Sequence, residues 1–397
     1  MASNEKRRGA GMPQQIHDFD EDQNVFRDAL ERIVRETSPR ATAQNLDNEK
    51  RFDVALHRAL AEFGATGLGV PEREGGVGLS SVEQVITLDV LGRLATSMAV
   101  FFVIQFMTTR LLSHYGSDAQ KKKWLAPLAK GDIKASFCLT EAGGGTDILS
   151  SMRTKATRTD DGWLISGSKM WISGATTSDL LIVLARTAPN HSRGVTMFLV
   201  PRETPGVSAT ELRTMAINGY DTNEVGFDDV RAPADAVLGT VDNGFMQVLS
   251  SLNHERLNAA AVAIGIGQGA FETAVEYARE RKAFGKPIGQ FQAVQQRLVE
   301  IGVNLQAASL LTFNAAKRDA LGGAIDIASS MAKFSASKAA LAATDIGMEV
   351  MGGAGFDMDL PMQRYFRDAR LYVFAPLTND MILNILGERW LELPRSF

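Results

Sequence analysis

Hydrophobic residues in the first third of the chain recur every three to four positions, the spacing of an amphipathic helix. Between residues 20 and 37 they are Val25, Phe26, Ala29, Leu30, Ile33 and Val34. Pro39 is expected to stop this helix. Similar spacing predicts helices over residues 54–63, 82–94, 98–115 and, after an N-cap at Ser117-Asp118, 119–125. The pattern predicts a helical N-terminal domain over residues 17–135, preceded by a flexible tail over residues 1–16.

Shorter runs of alternating, β-branched or aromatic residues follow from about residue 136. They cover residues 163–172, 180–185, 195–200 and 224–227, and Gly, Asp, Asn and Pro separate them. The run at 163–172 is expected to turn at Ser166-Gly167. The pattern predicts a small β-barrel-like domain over residues 136–245.

The helical period returns at Gly244 and predicts three long helices, over residues 245–281, 291–321 and 325–351. Long helices with short connections are typical of an antiparallel bundle. The predicted fold is therefore mainly α with a middle β-domain, and it ends in a C-terminal four-helix bundle over residues 246–397. The Gly-rich segment at residues 263–269 lacks the spacing of a dinucleotide fingerprint and a preceding strand, so it predicts close helix packing.

Composition narrows the possible functions. The 397 residues include 42 Lys+Arg and 46 Asp+Glu, a net charge of −4, which does not favour nucleic-acid binding. The single cysteine, Cys138, and five histidines predict neither an intrachain disulfide nor a metal site. The apolar run at residues 99–107 is about half as long as a membrane-spanning helix, and the start of the chain has no signal-peptide core. We expect a cytoplasmic protein without a membrane segment.

Four segments contain residue types suited to a ligand site. They are Phe137-Cys-Leu-Thr-Glu-Ala-Gly-Gly-Gly-Thr-Asp147, Trp171-Ile-Ser173, the stretch from Arg281 to Gln292, and the stretch from Glu349 to Phe356, which Arg367-Asp-Ala-Arg370 follows. A Gly-rich loop lets backbone N–H groups approach a ligand, although the first segment alone is also compatible with an ordinary turn. Ser330-Met-Ala-Lys333 matches S-x-x-K but lacks the partner motifs, and we interpret it as part of a helix face.

Together these segments resemble the acyl-CoA dehydrogenase family, from about residue 20 to residue 395. The family's order is also matched by Pro71-Glu, Gly75-Gly, Thr140-Glu, Gly-Gly-Gly-Thr-Asp147, Gly167-x-Lys-x-Trp-Ile, Arg-Lys-x-Phe-Gly, Phe-Gln, Gly-Gly-x-Gly and Arg-Asp-Ala-Arg. The resemblance implies an α–β–α fold, FAD as cofactor and an acyl-CoA substrate. It also implies an electron-transfer flavoprotein as electron acceptor and a homotetramer, or at least a dimer.

The resemblance further implies which residues contact FAD. In the β-domain these are Phe137, Leu139, Thr140, Gly145, Thr146, Trp171 and Ser173, with Ser173 at the position that bonds flavin N5. Contacts with FAD bound mainly by a neighbouring subunit fall on Arg281, Glu349, Gly352 and Gly353. Phe284, Phe291 and Gln292 correspond to adenine-end and flavin-adjacent contacts, and Thr378 and Asp380 complete the set. Arg281 corresponds to the arginine that meets the diphosphate. The family usually has Gln at the position of Glu349, and a carboxylate there repels a diphosphate unless it is paired or protonated.

The catalytic base departs from the usual family pattern. Most members have a Glu eight residues after the Asp of Arg-Asp-Ala, and Pro376 occupies that position here. Proline has no carboxylate, and it has no N–H for the thioester carbonyl. Some branches place the Glu before an Arg on the first long C-terminal helix, which corresponds to Glu255 in His254-Glu255-Arg256. Glu255 is therefore the predicted base, and a solvated helix residue is the alternative interpretation. Predicted substrate contacts are Thr146, Arg256 and Leu377.

The function predicted from the resemblance is FAD-dependent α,β-dehydrogenation of an acyl-CoA thioester to the 2-enoyl-CoA, with flavin N5 as hydride acceptor. Because Pro376 replaces the usual base, two other functions stay open. One is a flavoenzyme of different chemistry on the same fold: a monooxygenase, a desulfinase or an enoyl-CoA reductase. The other is a non-catalytic FAD-binding subunit that pairs with an active paralogue.

Overall fold

The computed structural model describes residues 19–189 and 193–395, so the predicted flexible tail over residues 1–16 lies outside the described residues. The first part of the described chain is helical. Its helices are α1 Glu21–Thr37, α2 Arg40–Glu49, α3 Val54–Glu62, α4 Ser81–Leu94, α5 Thr96–Tyr115, α6 Asp118–Gln120 and α7 Ala126–Lys130, with a π-helical turn over Lys121–Leu125. Ser117 caps α6 as predicted, because its hydroxyl accepts the N–H of Gln120.

Helix α2 was not predicted from the sequence. Pro39 ends α1 as expected, but it also occupies the N-cap position of α2, where its missing N–H costs nothing. The buried side chains of α2 are Gln44 and Asp47, so no apolar stripe marks the helix. Gln44 donates from Nε2 to the carbonyl of Met358 at 2.9 Å, and this contact ties α2 to the C-terminal part of the chain.

Helix α5 is long and apolar enough to cross a membrane by length and composition alone, and it extends well beyond the apolar run at residues 99–107. However, 72% of its most apolar window is buried inside the protein. The helix packs against α4, β1 and a long helix of the C-terminal domain. Its apolar character is therefore explained by its position in the core.

The middle domain is an eight-stranded sheet. Its strands are β1 Ala135–Cys138, β2 Lys155–Arg158, β3 Gly162–Ser173, β4 Leu180–Arg186, β5 Val195–Pro201, β6 Val207–Glu211, β7 Thr222–Pro233 and β8 Val237–Leu238, with the short helix α8 Ile148–Ser151 before β2. The strand order is β6-β7-β3-β2-β4-β5-β8, and β1 lies parallel to β4. One buried cluster combines side chains from β1, β2, β3, β4, β5 and β7. Strands far apart in this order share one core, so the sheet curls around it.

The predicted turn at Ser166-Gly167 is wrong, because β3 continues from Gly162 to Ser173. A β-bulge lies there instead, where the pairing of β3 with β7 shifts in register between Ile165 and Gly167. Gly167 has φ +144°, and a Cβ at this position would lie 2.6 Å from the Cα of Thr154. The bulge and the close packing both require glycine at this position. In the sequence, such a glycine cannot be distinguished from one in a turn.

The C-terminal domain contains the three predicted long helices, and a short hairpin separates the first two. The elements are α9 Gly244–Glu280, β9 Lys282–Ala283, β10 Lys286–Pro287, α10 Gln292–Ala320, α11 Asp326–Met351, α12 Gly353–Phe356, α13 Met362–Ala369 and α14 Asn379–Arg389. Helix α14 packs against α11. We call the end where α9 begins, beside β5, the proximal end of the bundle, and the end with the β9–β10 hairpin the distal end.

Side-chain contacts confirm that the long helices are antiparallel. At the proximal end, His254 near the start of α9 bonds Asp319 at the end of α10, with 2.9 Å between Nε2 and Oδ1. At the distal end, Arg297 near the start of α10 pairs with Glu349 near the end of α11. The Gly-rich segment at residues 263–269 lies inside α9, as close packing requires: a Cβ at Gly265 would lie 2.2 Å from the carbonyl oxygen of Asp89 on α4.

Candidate active site

Trp171 occupies an unusual backbone position near the end of β3. It lies in a second register shift, between Lys169 and Ile172, with φ +65°, and its side chain is 61% exposed. Such a conformation costs a non-glycine residue about 1–3 kcal/mol. Thr140 holds the segment, because its Oγ1 donates to the carbonyl of Met170 at 2.6 Å and its carbonyl accepts the N–H of Met170 at 2.9 Å. The backbone therefore presents the indole ring outward, as a binding surface does.

A buried ion pair supports this surface from inside the sheet. Lys169 is fully buried, and its Nζ lies 2.8 Å from Oε1 of Glu141 and 3.0 Å from the carbonyl of Leu139. Glu141 also accepts the N–H groups of Arg153 and Thr154, at 2.7 and 3.0 Å. Burial would raise the pKa of the Glu141 carboxyl, but the Lys169 ammonium and these donors hold that pKa below its usual value. The pair fixes the loop after β1 against β3.

The loop after β1 leaves open space on its outer side. A Cβ at Gly143 or Gly145 would meet no atom within 4 Å, and Thr146 is exposed. Phe137 is half-buried, whereas Leu139 is 9% exposed, so Leu139 offers little surface to a ligand. An accessible Gly-rich loop beside an exposed indole ring fits the flavin part of FAD.

Ser173 closes the same surface at the end of β3. Its carbonyl accepts from the Ser136 hydroxyl at 2.7 Å. Its own hydroxyl makes no hydrogen bond to any residue that the structure describes. The side chain is half-buried, two residues beyond Trp171. The geometry fits the predicted role of Ser173 as a donor to the flavin.

Glu255 lies on α9, 11 residues after Gly244, which is about 17 Å along the helix axis. Its side chain is half-buried. Burial raises the pKa of the Glu255 carboxyl to about 7, and the neighbouring Arg256 opposes that rise. A carboxyl group with a pKa near neutrality can accept a proton and release it again at physiological pH. Glu255 is therefore not a fully solvated helix residue.

Arg256 connects this part of α9 to α11. It is 7% exposed, and its Nη1 donates to Oγ of Ser330 at 3.1 Å. One turn further along α11, Lys333 donates to the carbonyl of Leu377 at 2.6 Å. The segment that carries Pro376 thus packs beside the part of α11 that contacts the neighbour of Glu255. The Ser330-x-x-Lys333 pattern lies on a helix as predicted, but the polar face it forms is buried.

The segment after Pro376 offers one backbone donor. The N–H of Leu377 makes no hydrogen bond within the described parts of the chain. The Thr378 hydroxyl caps α14 by accepting the N–H of Met381 at 3.2 Å, and Asp380 is exposed in the first turn of that helix. Leu377 can therefore supply the carbonyl donor that Pro376 lacks, whereas the Thr378 side chain is already engaged within the chain.

The remaining predicted FAD contacts lie at the distal end, away from Glu255. They are Arg281, Phe284, Phe291, Gln292, Glu349, Gly352 and Gly353. Arg281 follows Glu255 by 26 residues, about 39 Å along α9, which is longer than an extended FAD molecule. Phe284, at the tip of the β9–β10 hairpin, is 95% exposed with φ +51°. Within one chain, these distal residues and Glu255 therefore do not lie close enough to contact the same FAD molecule.

Glu349 does not leave an unpaired negative charge at the distal end. Its carboxylate pairs with Arg297 of α10, and both side chains are about half exposed. An exposed pair of this kind adds little to stability. It neutralises the carboxylate, so Glu349 is compatible with a diphosphate nearby. A Cβ at Gly352 or Gly353 would meet no atom within 4 Å, which leaves this corner open to a ligand.

Comparison with known proteins assigns all three domains to one family. The models described as acyl-CoA dehydrogenase N-terminal, middle and C-terminal domains match residues 20–132, 136–230 and 242–391. The short/branched chain specific acyl-CoA dehydrogenase of Rattus norvegicus is 31% identical over 376 residues, which cover 94% of this chain and 86% of that protein.

Solved structures agree with this assignment. A glutaryl-CoA dehydrogenase from Mycobacterium smegmatis in complex with FADH2 has a TM-score of 0.90 and 26% identity, over 96% of each chain. A chain of a structure described as the electron transferring flavoprotein of Acidaminococcus fermentans has a TM-score of 0.91 and 28% identity, over 94% of this chain and 99% of that one.

Proposed function

This chain belongs to the acyl-CoA dehydrogenase family, and we propose that Glu255 is the base that removes the α proton of its acyl-CoA substrate. The enzyme dehydrogenates acyl-CoA thioesters with FAD as cofactor. The observation that carries the proposal is the half-buried carboxyl of Glu255, whose pKa of about 7 suits a base, in a chain where Pro376 removes the usual one. When bound, FAD supplies the hydride acceptor for the β hydrogen.

The α proton of a thioester is weakly acidic, so the base needs help from groups that bind the carbonyl oxygen. We assign that role to the Leu377 N–H, whose interaction with the oxygen strengthens as negative charge develops there. Arg256 is held by Ser330 and by burial, which fixes the helix turn that carries Glu255. Ser173 and Trp171 would contact the flavin from the β-domain.

An anaerobic titration with short, long and branched acyl-CoA thioesters tests this function. At least one of them should bleach the oxidised flavin absorbance without oxygen. A flavin that changes only when oxygen is admitted would indicate a monooxygenase, and one that only an enoyl-CoA reoxidises would indicate a reductase. Full FAD content with no response to any thioester would indicate a non-catalytic subunit.

The rate of flavin reduction at limiting acyl-CoA should rise with pH and reach a plateau above about 7, because Glu255 must be ionised to accept the proton. The raised pKa means that the folded protein keeps a proton that the unfolded chain has already released. The contribution of Glu255 to stability is thus complete below pH 4.5 and is lost as pH rises towards about 7. Stopped-flow reduction and thermal unfolding between pH 5 and 9 measure both effects. A rate that falls with pH across this range would contradict the assignment.

We propose that the chain is at least a dimer, and a homotetramer in the form that the family resemblance implies. Arg281 and the Gly352-Gly353 corner would complete the FAD site of another subunit. The exposed apolar side chains Val299 and Val303 on α10, 60% and 62% exposed, also favour an interface. Sedimentation at micromolar concentration should show no monomer. Arg281→Ala should lower FAD content, whereas Arg279→Ala, an exposed control in the last turn of α9, should not. A monomer that keeps its FAD would contradict this proposal.

Electrons are proposed to leave through an electron-transfer flavoprotein. The similarity to a chain from a structure described by that name supports this proposal. The cytoplasmic location stays a prediction from the sequence.

A further inference from the structure

Lys333 is a buried cation with neutral partners. Its side chain is 1% exposed in the middle of α11, and it forms no ion pair with any residue the structure describes. Its ammonium donates to three oxygens: the carbonyl of Leu377 at 2.6 Å, Oδ1 of Asn379 at 2.8 Å and the carbonyl of Val373 at 3.4 Å. Three donors and three acceptors satisfy the ammonium completely.

These three acceptors belong to one short segment, residues 373–379, which carries Pro376. Val373 and Leu377 lie on either side of Pro376, and Asn379 begins α14. Asn379 is held in turn by Ser337, whose Oγ lies 3.0 Å from Nδ2 of Asn379. Lys333 therefore contacts the segment on both sides of Pro376 and at the first residue of α14.

Burying an ammonium group without a counter-ion is unfavourable, and burial lowers the pKa of Lys333 to about 8. Stability alone does not favour a lysine at this position. What the lysine does provide is a fixed shape for residues 373–379. Ser330, one turn earlier on α11, holds Arg256 beside Glu255. One helix thus contacts both the neighbour of the proposed base and the segment with the proposed carbonyl donor.

We propose that Lys333 is a positioning residue, which holds residues 373–379 so that the Leu377 N–H binds the thioester carbonyl of the substrate. This inference rests on the proposed function. Lys333 is too deeply buried to touch the substrate, and it acts through the backbone of Leu377. Where other family members have a residue with a free N–H at the position of Pro376, this chain depends more heavily on the orientation of Leu377.

The test compares the wild-type holoenzyme with Lys333→Met, which keeps an unbranched side chain but removes the charge and the donors. Lys338→Met, at an exposed position on the same helix, is the matched control. Flavin reduction by the best acyl-CoA should fall about 10- to 100-fold in Lys333→Met, the scale expected when a reacting group is misplaced by about 1 Å. The rates are compared at equal FAD content, because Thr378 in the same segment is a predicted FAD contact, and Kd for a 2-enoyl-CoA should change less than about 3-fold.

The infrared band of a 2-enoyl-CoA labelled with ¹³C at the thioester carbonyl reports the position of the donor directly. Binding should lower its frequency in the wild type, in Lys338→Met and in Glu255→Gln, but not in Lys333→Met, and Lys333→Arg should restore part of the shift. An unchanged shift with wild-type reduction in Lys333→Met would overturn the proposal. If Lys333→Met does not fold, Asn379→Ala removes one acceptor, and an undiminished band shift in that variant would overturn it equally. Failure of the Glu255 assignment would appear separately, as full activity of Glu255→Gln.

Discussion

Glu255→Gln should slow flavin reduction by a good acyl-CoA about 10²-fold or more, the usual scale of general-base losses. Glutamine keeps the shape and the hydrogen-bonding reach of the side chain but cannot accept the α proton. FAD content and acyl-CoA binding should change little, because the carboxylate acts chiefly in the transition state. Above pH 7 the variant should also unfold at a higher temperature than the wild type, since it no longer places a negative charge in a half-buried position.

Glu276→Gln provides the matched control for this variant. Glu276 is exposed on the same helix, and among the described residues its one ion pair is a long surface pair with Arg40, at 3.4 Å. Its replacement should leave reduction within about 2-fold of the wild-type rate, as expected for a surface change. Pro376→Glu in the Glu255→Gln background tests the usual family position, and partial recovery would show that residues 373–379 face the α carbon. A Glu255→Gln enzyme as fast as Glu276→Gln would remove Glu255 from the mechanism.

The second large effect is expected at Lys169, beneath the predicted flavin surface. Lys169→Met should cost about 3–5 kcal/mol of unfolding free energy, the scale for removing one partner of a buried ion pair. The Glu141 carboxylate would remain buried with only its two backbone donors. The loop after β1 should then loosen from β3, so FAD content should fall as well. Urea unfolding and the flavin-to-protein absorbance ratio measure the two losses.

A double-mutant cycle separates the lost pair from the lost side chain. Lys169→Met/Glu141→Gln removes both charges, so it should be more stable than Lys169→Met alone. Lys155→Met is a control at an exposed position of the same domain. A Lys169→Met protein with wild-type stability and full FAD content would show that the pair does not support the flavin surface.

Elements with a strong apolar period were predictable from sequence, and elements with other signals were not. The stripes of α1 and α3 reflect which face each helix buries, whereas α4 and the middle of α9 are buried on all sides. The runs at β4 and β5 reflect burial on both faces. Helix α2 buries the polar residues Gln44 and Asp47, so the hydrophobic pattern of the sequence does not indicate this helix. The bulge at Gly167 resembles a turn because both require glycine.

The candidate site likewise contains residues that the sequence predicts and residues that only the structure brings together. Glu255 was proposed because it precedes Arg256 on a predicted helix, a local signal combined with the family pattern. The supporting residues join positions that are distant in sequence: Lys169 meets Glu141 across 28 residues, and Lys333 meets Leu377 across 44. A single sequence contains no pattern that indicates such pairs, because only the fold places their residues next to each other. Lys333 was visible as part of S-x-x-K, but its partner was not.

Exchange of the substrate α proton with solvent tests the central claim most directly, because the proton that exchanges is the one that the base removes. The holoenzyme is incubated anaerobically in D₂O with an excess of its best acyl-CoA, and the mass of the recovered thioester is followed in time. Wild type and Glu276→Gln should incorporate deuterium at the α carbon, and Glu255→Gln should do so about 10²-fold more slowly or not at all. Incorporation by Glu255→Gln at the wild-type rate would contradict the assignment of Glu255 as the base.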